Sequence, residues 1–475
     1  MIQMKKTIGG IYISRKSLRD NFNPLSGRVL TAIFSGLGKC SILSWYTIKK
    51  DLTKRIFFIF FIIILFTYSF SQALLSKAYS EEKVFNVGLS LLDFEYKHPD
   101  GKQEVVTTAI WYPTIETPQP YTYYNNRGEG NVESEVVLNS SVIKKDGPYP
   151  FILFAHGAFG TGYNVAYFAE YLANRGYIVV APDYVDTKPP DYTQQIAFAR
   201  IKGGNVGNPL QVLRVAGQFV KDMAEDRDFF LSYLAEHRFR HTSFVIDKII
   251  ELNRDKNSIF YQTIKEDVIG VCGHSEGGLT ILGKIGAHPD KQFKDNRIKA
   301  ALVFSAPAYP FEESLNNIAV PIMLMVGDND SPAVHPELPR RIIYDKAKLP
   351  KFYLVLKNAT HFSFGNKGCG QLPLDQAVED NPQPNAICRY GLAFFEKYLR
   401  GNLSGGKQLD QTDPAWAYYI KEEKEGGALE WGKEPPPGEG GPGGIRSKLG
   451  GGGKGEFMKR RRGERLRRWR GGDKE

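Results

Sequence analysis

"VIGVCGHSEGGLTIL", residues 268–282, runs from a short apolar stretch into Gly-His-Ser-Glu-Gly-Gly and then into a helix-compatible segment. G-x-S-x-G between a strand and a helix is the pattern of a sharp elbow that presents a serine. Gly273 and Gly277 leave room for such a turn, with Ser275 at its centre in a strained backbone conformation and its hydroxyl pointing outward. Gly270 interrupts the apolar run, which a strand tolerates and which often marks close backbone packing. Three fixed positions in five recur by chance in long chains, so the reading of Ser275 as a nucleophile depends on finding its partners elsewhere.

A serine hydroxyl attacks only when a base takes its proton and a third group orients that base. Downstream, "VPIMLMVGDNDSPAV" ends an apolar strand in Gly327, Asp328 and Asp330, and "FYLVLKNATHFSF" ends another in His361. Both candidates lie just past the C-terminal end of a predicted strand, where open α/β sheets place their sites. The order Ser275, Asp330, His361 assigns nucleophile, acid and base; Asp330 is preferred to Asp328 because it sits farther past the strand, and Asp328 reads as a turn-former. Upstream, "PFILFAHGAFGTG" places His156-Gly157-Ala158-Phe159-Gly160 after a strand. The backbone N–H groups of Ala158 and Glu276 are the expected donors to a developing oxyanion. His156 organises that loop, His274 is a packing or turn residue, and His237 and His241 read as surface positions in a charged helical region. No Cys/His or paired-carboxylate spacing suggests a metal, and no cofactor is expected.

Around these motifs, strand and helix patterns alternate. Candidate strands are Phe151–Ala155, Ile178–Ala181, Val268–Cys272, Ala300–Phe304, Ile322–Val326 and Phe352–Leu356, with helical stretches at 165–174 and 277–286 and in "RYGLAFFEKYLRG". Short apolar runs of this kind suit a mostly parallel sheet covered on both faces. A hairpin around Pro99-Asp100-Gly101-Lys102 leads into it. Residues 185–240 are longer than one connection requires, and the apolar spacing within 211–234 permits either core packing or a helical cap.

The formal net charge of +10 is concentrated at the ends. Residues 1–55 carry 11 Lys and Arg against 2 Asp and Glu, and residues 426–475 carry 13 against 7, so the remainder is slightly acidic and gives a nucleic-acid role no support. Residues 56–70 are almost wholly apolar, preceded by Lys49, Lys50, Lys54 and Arg55 and followed by small residues. This is the layout of a signal peptide, with cleavage after Ala73 or Ala78; extended to Leu75 it is also long enough for an uncleaved membrane anchor. The organisation expected is a basic extension over 1–55, which a later translation start would account for, and a signal peptide or anchor over 56–78. A catalytic domain over 79–405 and a low-complexity basic tail over 406–475 follow. Cys272 reads as a small buried side chain; Cys369 and Cys388 close a loop as a disulfide if the chain is exported and are otherwise two free thiols.

Taken together, "VVTTAIWYPT", "FAHGAFG", "SFVIDKIIEL", "GHSEGG", "VGDND", "ATHFSF" and "ICRYGLAFFEKYL" resemble the α/β-hydrolase superfamily. Within it they resemble the dienelactone-hydrolase-like proteins related to platelet-activating-factor acetylhydrolase. The resemblance covers about 83–403 and implies an α/β-hydrolase fold and a metal-independent serine esterase or lipase-like enzyme, often exported, acting on a small-molecule or lipid ester. Two departures stand out. True dienelactone hydrolases use a cysteine nucleophile where this chain has Ser275, so that substrate does not carry over. In the eukaryotic acetylhydrolases the acid follows the strand after the elbow helix, where this chain reads "LVFSAPAYP" with Ser305, which weakens the case for phospholipid specificity. Glu276 beside the nucleophile is expected to put negative charge at the pocket mouth. The competing readings are an acyltransferase or peptidase with the same triad, and an inactive membrane-anchored binding protein of the same fold.

Overall fold

Two long strands with hydrophobic alternation open the described chain. β1 (Asn86–Lys97) and β2 (Gln103–Thr114) pair antiparallel in unbroken register from Asn86 with Thr114 to Lys97 with Gln103. Gly101, at φ +87°, supplies the left-handed residue their tight connection needs. The computed structural model describes residues 85–123, 132–158, 160–184, 226–330, 341–370 and 372–434. All of these lie in the unit Glu81–Glu475. The expected basic extension over 1–55, the signal or anchor over 56–78, residues 185–225 of the possible cap 185–240, and 435–475 of the expected tail fall outside the described residues. Among the described residues, no helix is long and apolar enough to cross a membrane.

The remaining strands are β3 (Gln119–Tyr123), β4 (Val132–Leu138), β5 (Tyr149–Ala155), β6 (Ile178–Pro182) and β7 (Ile264–His274), then β8 (Ile298–Phe304), β9 (Ile322–Gly327), β10 (Lys351–Leu356), β11 (Trp416–Glu422) and β12 (Ala428–Gly432). They form one sheet in the order β12-β11-β10-β9-β8-β7-β5-β6-β2-β1-β4-β3. The run β10-β9-β8-β7-β5-β6 is parallel throughout. Its strands β5, β6, β8, β9 and β10 are buried almost residue by residue, as strands covered on both faces must be.

Side chains alternate between two cores. Ile152 and Phe154 face one core; Phe151, Leu153 and Ala155 face the other. α1 (Ala166–Ala173), α6 (Leu374–Asp380) and α7 (Pro382–Leu399) pack on the first face. α2 (Arg227–Leu234), α3 (Arg240–Arg254), α4 (Glu276–Leu282) and α5 (Ile342–Lys346) pack on the second. α7 starts cleanly because Asn381 caps it, accepting from the N–H of Gln383 at 3.1 Å, and Pro382 opens its first turn. Gly391 on its buried face lets the Phe168 ring come within 2.7 Å of where a Cβ would stand. The architecture is therefore α/β, a mostly parallel sheet led by an antiparallel hairpin with helices on both faces: an α/β-hydrolase fold.

Three expectations need correction. The folded domain does not end at 405: β11 pairs antiparallel with β10 and β12 with β11, and Trp416, Tyr418 and Tyr419 are buried. The strand "WAYYIKE", buried along most of its length, covers an edge that β10 would otherwise expose. Cys369 and Cys388 are free thiols rather than a disulfide; both are buried, and burial pushes the thiol of Cys369 up to about 12. His241 is fully buried, not a surface residue, because α3 turns it onto the β1–β2 hairpin; His237 is half-buried.

Candidate active site

β7 delivers Ser275 and the glycines around it explain the geometry. Ser275 has φ 57° and ψ −120°, a conformation a non-glycine residue adopts only when its surroundings enforce it. A Cβ on Gly277 would stand 1.9 Å from the carbonyl oxygen of Ala155, and one on Gly273 would stand 2.4 Å from that of Gly277. Neither position accepts any other residue without moving backbone. The Ser275 N–H donates to Phe304 O at 2.9 Å, which ties the elbow to β8.

Asp330 and His361 arrive on two loops that are bonded to each other. Gly327 ends β9 against Ala359, where a Cβ would meet the carbonyl oxygen at 2.2 Å. The N–H of Asn329 donates to Ala359 O at 3.0 Å. Asp328 then accepts from the N–H groups of Asn358 (2.9 Å) and Ala359 (3.1 Å), so its carboxylate is used in shaping the loop that carries the histidine. Asp330 is fully buried, with Oδ1 3.0 Å from His361 Nδ1. His361 Nε2 lies 2.8 Å from Ser275 Oγ. Expected nucleophile, base and acid thus stand in one hydrogen-bonded line, with Asp330 rather than Asp328 behind the imidazole. His274 adds a contact that its sequence neighbours gave no sign of: its Nε2–H donates to the backbone oxygen of His361 at 2.7 Å, fixing the base loop against the elbow.

The turn after β5 packs directly on Ser275. A Cβ on Gly157 would lie 3.2 Å from both the Ser275 Cβ and the His274 Nδ1, so glycine lets this turn approach the elbow. Ala158 follows it, half-buried. His156 is fully buried; its Nε2 accepts from the Tyr184 N–H at 2.8 Å, which leaves the proton on Nδ1 to donate to Gly157 O at 2.8 Å.

Glu276 departs from expectation. Its side chain does not line the mouth; it is 4 % exposed and paired with the fully buried Arg238, Nη2 to Oε2 at 3.1 Å. The same guanidinium donates through Nη1 to His156 O at 2.8 Å and lies 4.4 Å over the Tyr184 ring. Arg238 therefore bridges the two segments, 156–158 and 275–276, that carry the expected oxyanion donors. In sequence alone, an arginine in a charged helical stretch looks like a solvated residue, so nothing there marks Arg238.

A family model described as Chlorophyllase matches residues 133–209. The matched segment includes β4 to β6 and the His156-Gly157 turn but none of Ser275, Asp330 and His361. No curated protein matches the chain. Fold and family match together support a hydrolase of the α/β-hydrolase type.

Proposed function

We propose that the protein is a serine hydrolase of carboxylic esters, acting through Ser275, His361 and Asp330 by way of an acyl-enzyme. The observation that carries this reading is the continuous line from Asp330 Oδ1 through His361 to Ser275 Oγ, at 3.0 and 2.8 Å, on a serine held at φ 57°. As Ser275 Oγ attacks the ester carbonyl, its proton passes to His361 Nε2. Asp330, buried and bonded to Nδ1, holds the ring in the required tautomer and stabilises the imidazolium that forms. The carbonyl oxygen, now negative, is met by the N–H groups of Ala158 and Glu276. Collapse expels the alcohol, which takes the proton from His361. A water then repeats the sequence and releases the acid.

The Chlorophyllase match supports ester over amide chemistry, although its segment holds none of the three residues of the line, so the substrate in that name is not carried over. Small or medium acyl esters, lipid-like ones among them, are the proposed substrates. The apolar segment 56–78 and its basic flank support delivery of the domain outside the cytoplasm, as a cleaved signal or on an anchor. The test compares wild type with Ser275→Ala on nitrophenyl esters from acetate to long chains, in chelator. Turnover that survives chelation and disappears in the variant is expected. Undiminished turnover by a folded Ser275→Ala protein would refute the reading.

A further inference from the structure

Three residues far apart in sequence converge beneath the β1–β2 turn. His98 immediately follows β1, Glu104 is the second residue of β2, and His241 is the second residue of α3. All three are buried, at 4 %, 3 % and 0 % exposure. Glu104 Oε2 lies 2.7 Å from His98 Nε2 and 3.9 Å from His241 Nε2, and the three atoms fall within 4.8 Å of one another. The Tyr96 ring packs edge-on against both imidazoles, at 4.7 and 4.5 Å between centroids.

The protonation of His241 makes this arrangement informative. Its Nδ1 bonds the backbone oxygen of His237 at 2.8 Å, and a carbonyl can only accept, so Nδ1 carries the proton. In the neutral ring Nε2 is then a bare lone pair. It is buried, has no hydrogen-bond partner among the described residues, and faces a carboxylate oxygen. Two acceptors turned toward each other in a dry interior repel unless a cation sits between them. A ligand imidazole that donates its second N–H to a backbone carbonyl is also the usual outer shell of a metal site.

We propose that His98 Nε2, Glu104 Oε2 and His241 Nε2 bind a zinc ion that ties the tip of the β1–β2 hairpin to α3. Two imidazoles and one carboxylate are donors suited to Zn²⁺. Tetrahedral bonds of about 2.0–2.1 Å would separate the ligand atoms by about 3.3 Å. The 2.7 and 3.9 Å separations of Glu104 Oε2 from the two nitrogens bracket that value, and the nitrogens, within 4.8 Å of each other, would draw together by up to about 1.5 Å to reach it. Binding expels the proton shared by His98 and Glu104 to solvent. The exposed turn Pro99–Lys102 above the site gives the ion a route in. The role is structural, since none of the three ligands belongs to the Ser275 line.

The full chain, stripped with chelator and dialysed against Zn²⁺, should bind one equivalent, read by elemental mass spectrometry. Its melting temperature should rise on adding Zn²⁺. Co²⁺ in place of zinc should give the visible absorption of a four-coordinate site. His241→Gln and Glu104→Gln should each weaken Zn²⁺ binding at least tenfold and abolish the melting shift. Folded wild type that takes up no stoichiometric Zn²⁺ would overturn the proposal whatever the variants do. So would either variant, folded, that keeps wild-type affinity. Ester turnover in chelator is read in parallel, so loss of the site and loss of the esterase reading are told apart.

Discussion

Replacing Arg238 by Met separates the role of the buried bridge from mere filling of space, because Met keeps an unbranched apolar stem and removes the guanidinium. Glu276 would remain 4 % exposed and lose the guanidinium now 3.1 Å from it. Breaking a buried pair from one side costs about 3–5 kcal/mol. The His156 carbonyl also loses its donor, worth about 1–3 kcal/mol if no water replaces it. Against a total stability of about 5–15 kcal/mol, the single variant is expected to be severely weakened. Arg238→Met/Glu276→Gln removes the buried carboxylate as well as its guanidinium and should regain most of the first quantity, ending about 1–3 kcal/mol below wild type. Urea unfolding of wild type, both single variants and the double variant measures the coupling between the two side chains. Activity supplies the second readout. Loss of a whole oxyanion donor lowers kcat by about 10²–10³, so loosening the segments that carry the two proposed donors should lower kcat of the folded double variant by about tenfold or more, with KM little changed. A single variant as stable as wild type, or a folded double variant with unchanged kcat, would show that Arg238 does not hold the site together.

Asp330→Asn should lower kcat by about 10³–10⁴ while leaving the fold intact, because the amide presents the wrong tautomer to His361. Asp328→Asn should instead lower the melting temperature by loosening the 358–361 loop, and steady-state kinetics beside thermal melts distinguishes the two. Lys284 is 2 % exposed, and burial pushes its ammonium down to about 8 from 10.5. The unfolded chain therefore holds a proton that the folded one releases between those values, and stability from this group rises with pH across that window. Lys284→Met should be more stable than wild type by up to about 3 kcal/mol at pH 7, the advantage shrinking to about 1 kcal/mol at pH 9.5. Denaturant midpoints at the two pH values check both sign and size, and an advantage that grows with pH would contradict the burial argument. A chain ended after Glu434 keeps every described residue and should melt as the full chain does. One ended after Gly405 loses Trp416, Tyr418 and Tyr419 from the core, bares the edge of β10, and should aggregate or melt well below it.

Much of the site was legible in the order of the residues because its chemistry is local. Gly273 and Gly277 flank Ser275 within five positions, and the steric need for them is met inside that turn. Asp330 and His361 each stand just past an apolar run, so recognising the strands located them. The six parallel strands were readable for the same reason: burial on both faces leaves unbroken apolar runs. β3 and β4 were not, since "QPYTY" and "VESEVVL" are short and half polar and pair only at the sheet's margin. The 416–422 strand was hidden by the Gly- and Pro-rich composition that follows it.

Turn geometry and strand identity depend on neighbours within a few residues, and the positions of Ser275, Asp330 and His361 just past their strands follow from them. The pairing of Arg238 with Glu276, the hold of His274 on the base loop, and the meeting of His98, Glu104 and His241 depend on which side chains are brought together after burial. A charged or histidine side chain looks the same in sequence whether it faces water or a buried partner. Only the packing of residues 235–254 on the hairpin and the elbow, and of the His361 loop on His274, removes the water, and with it the freedom of those groups to remain unpaired.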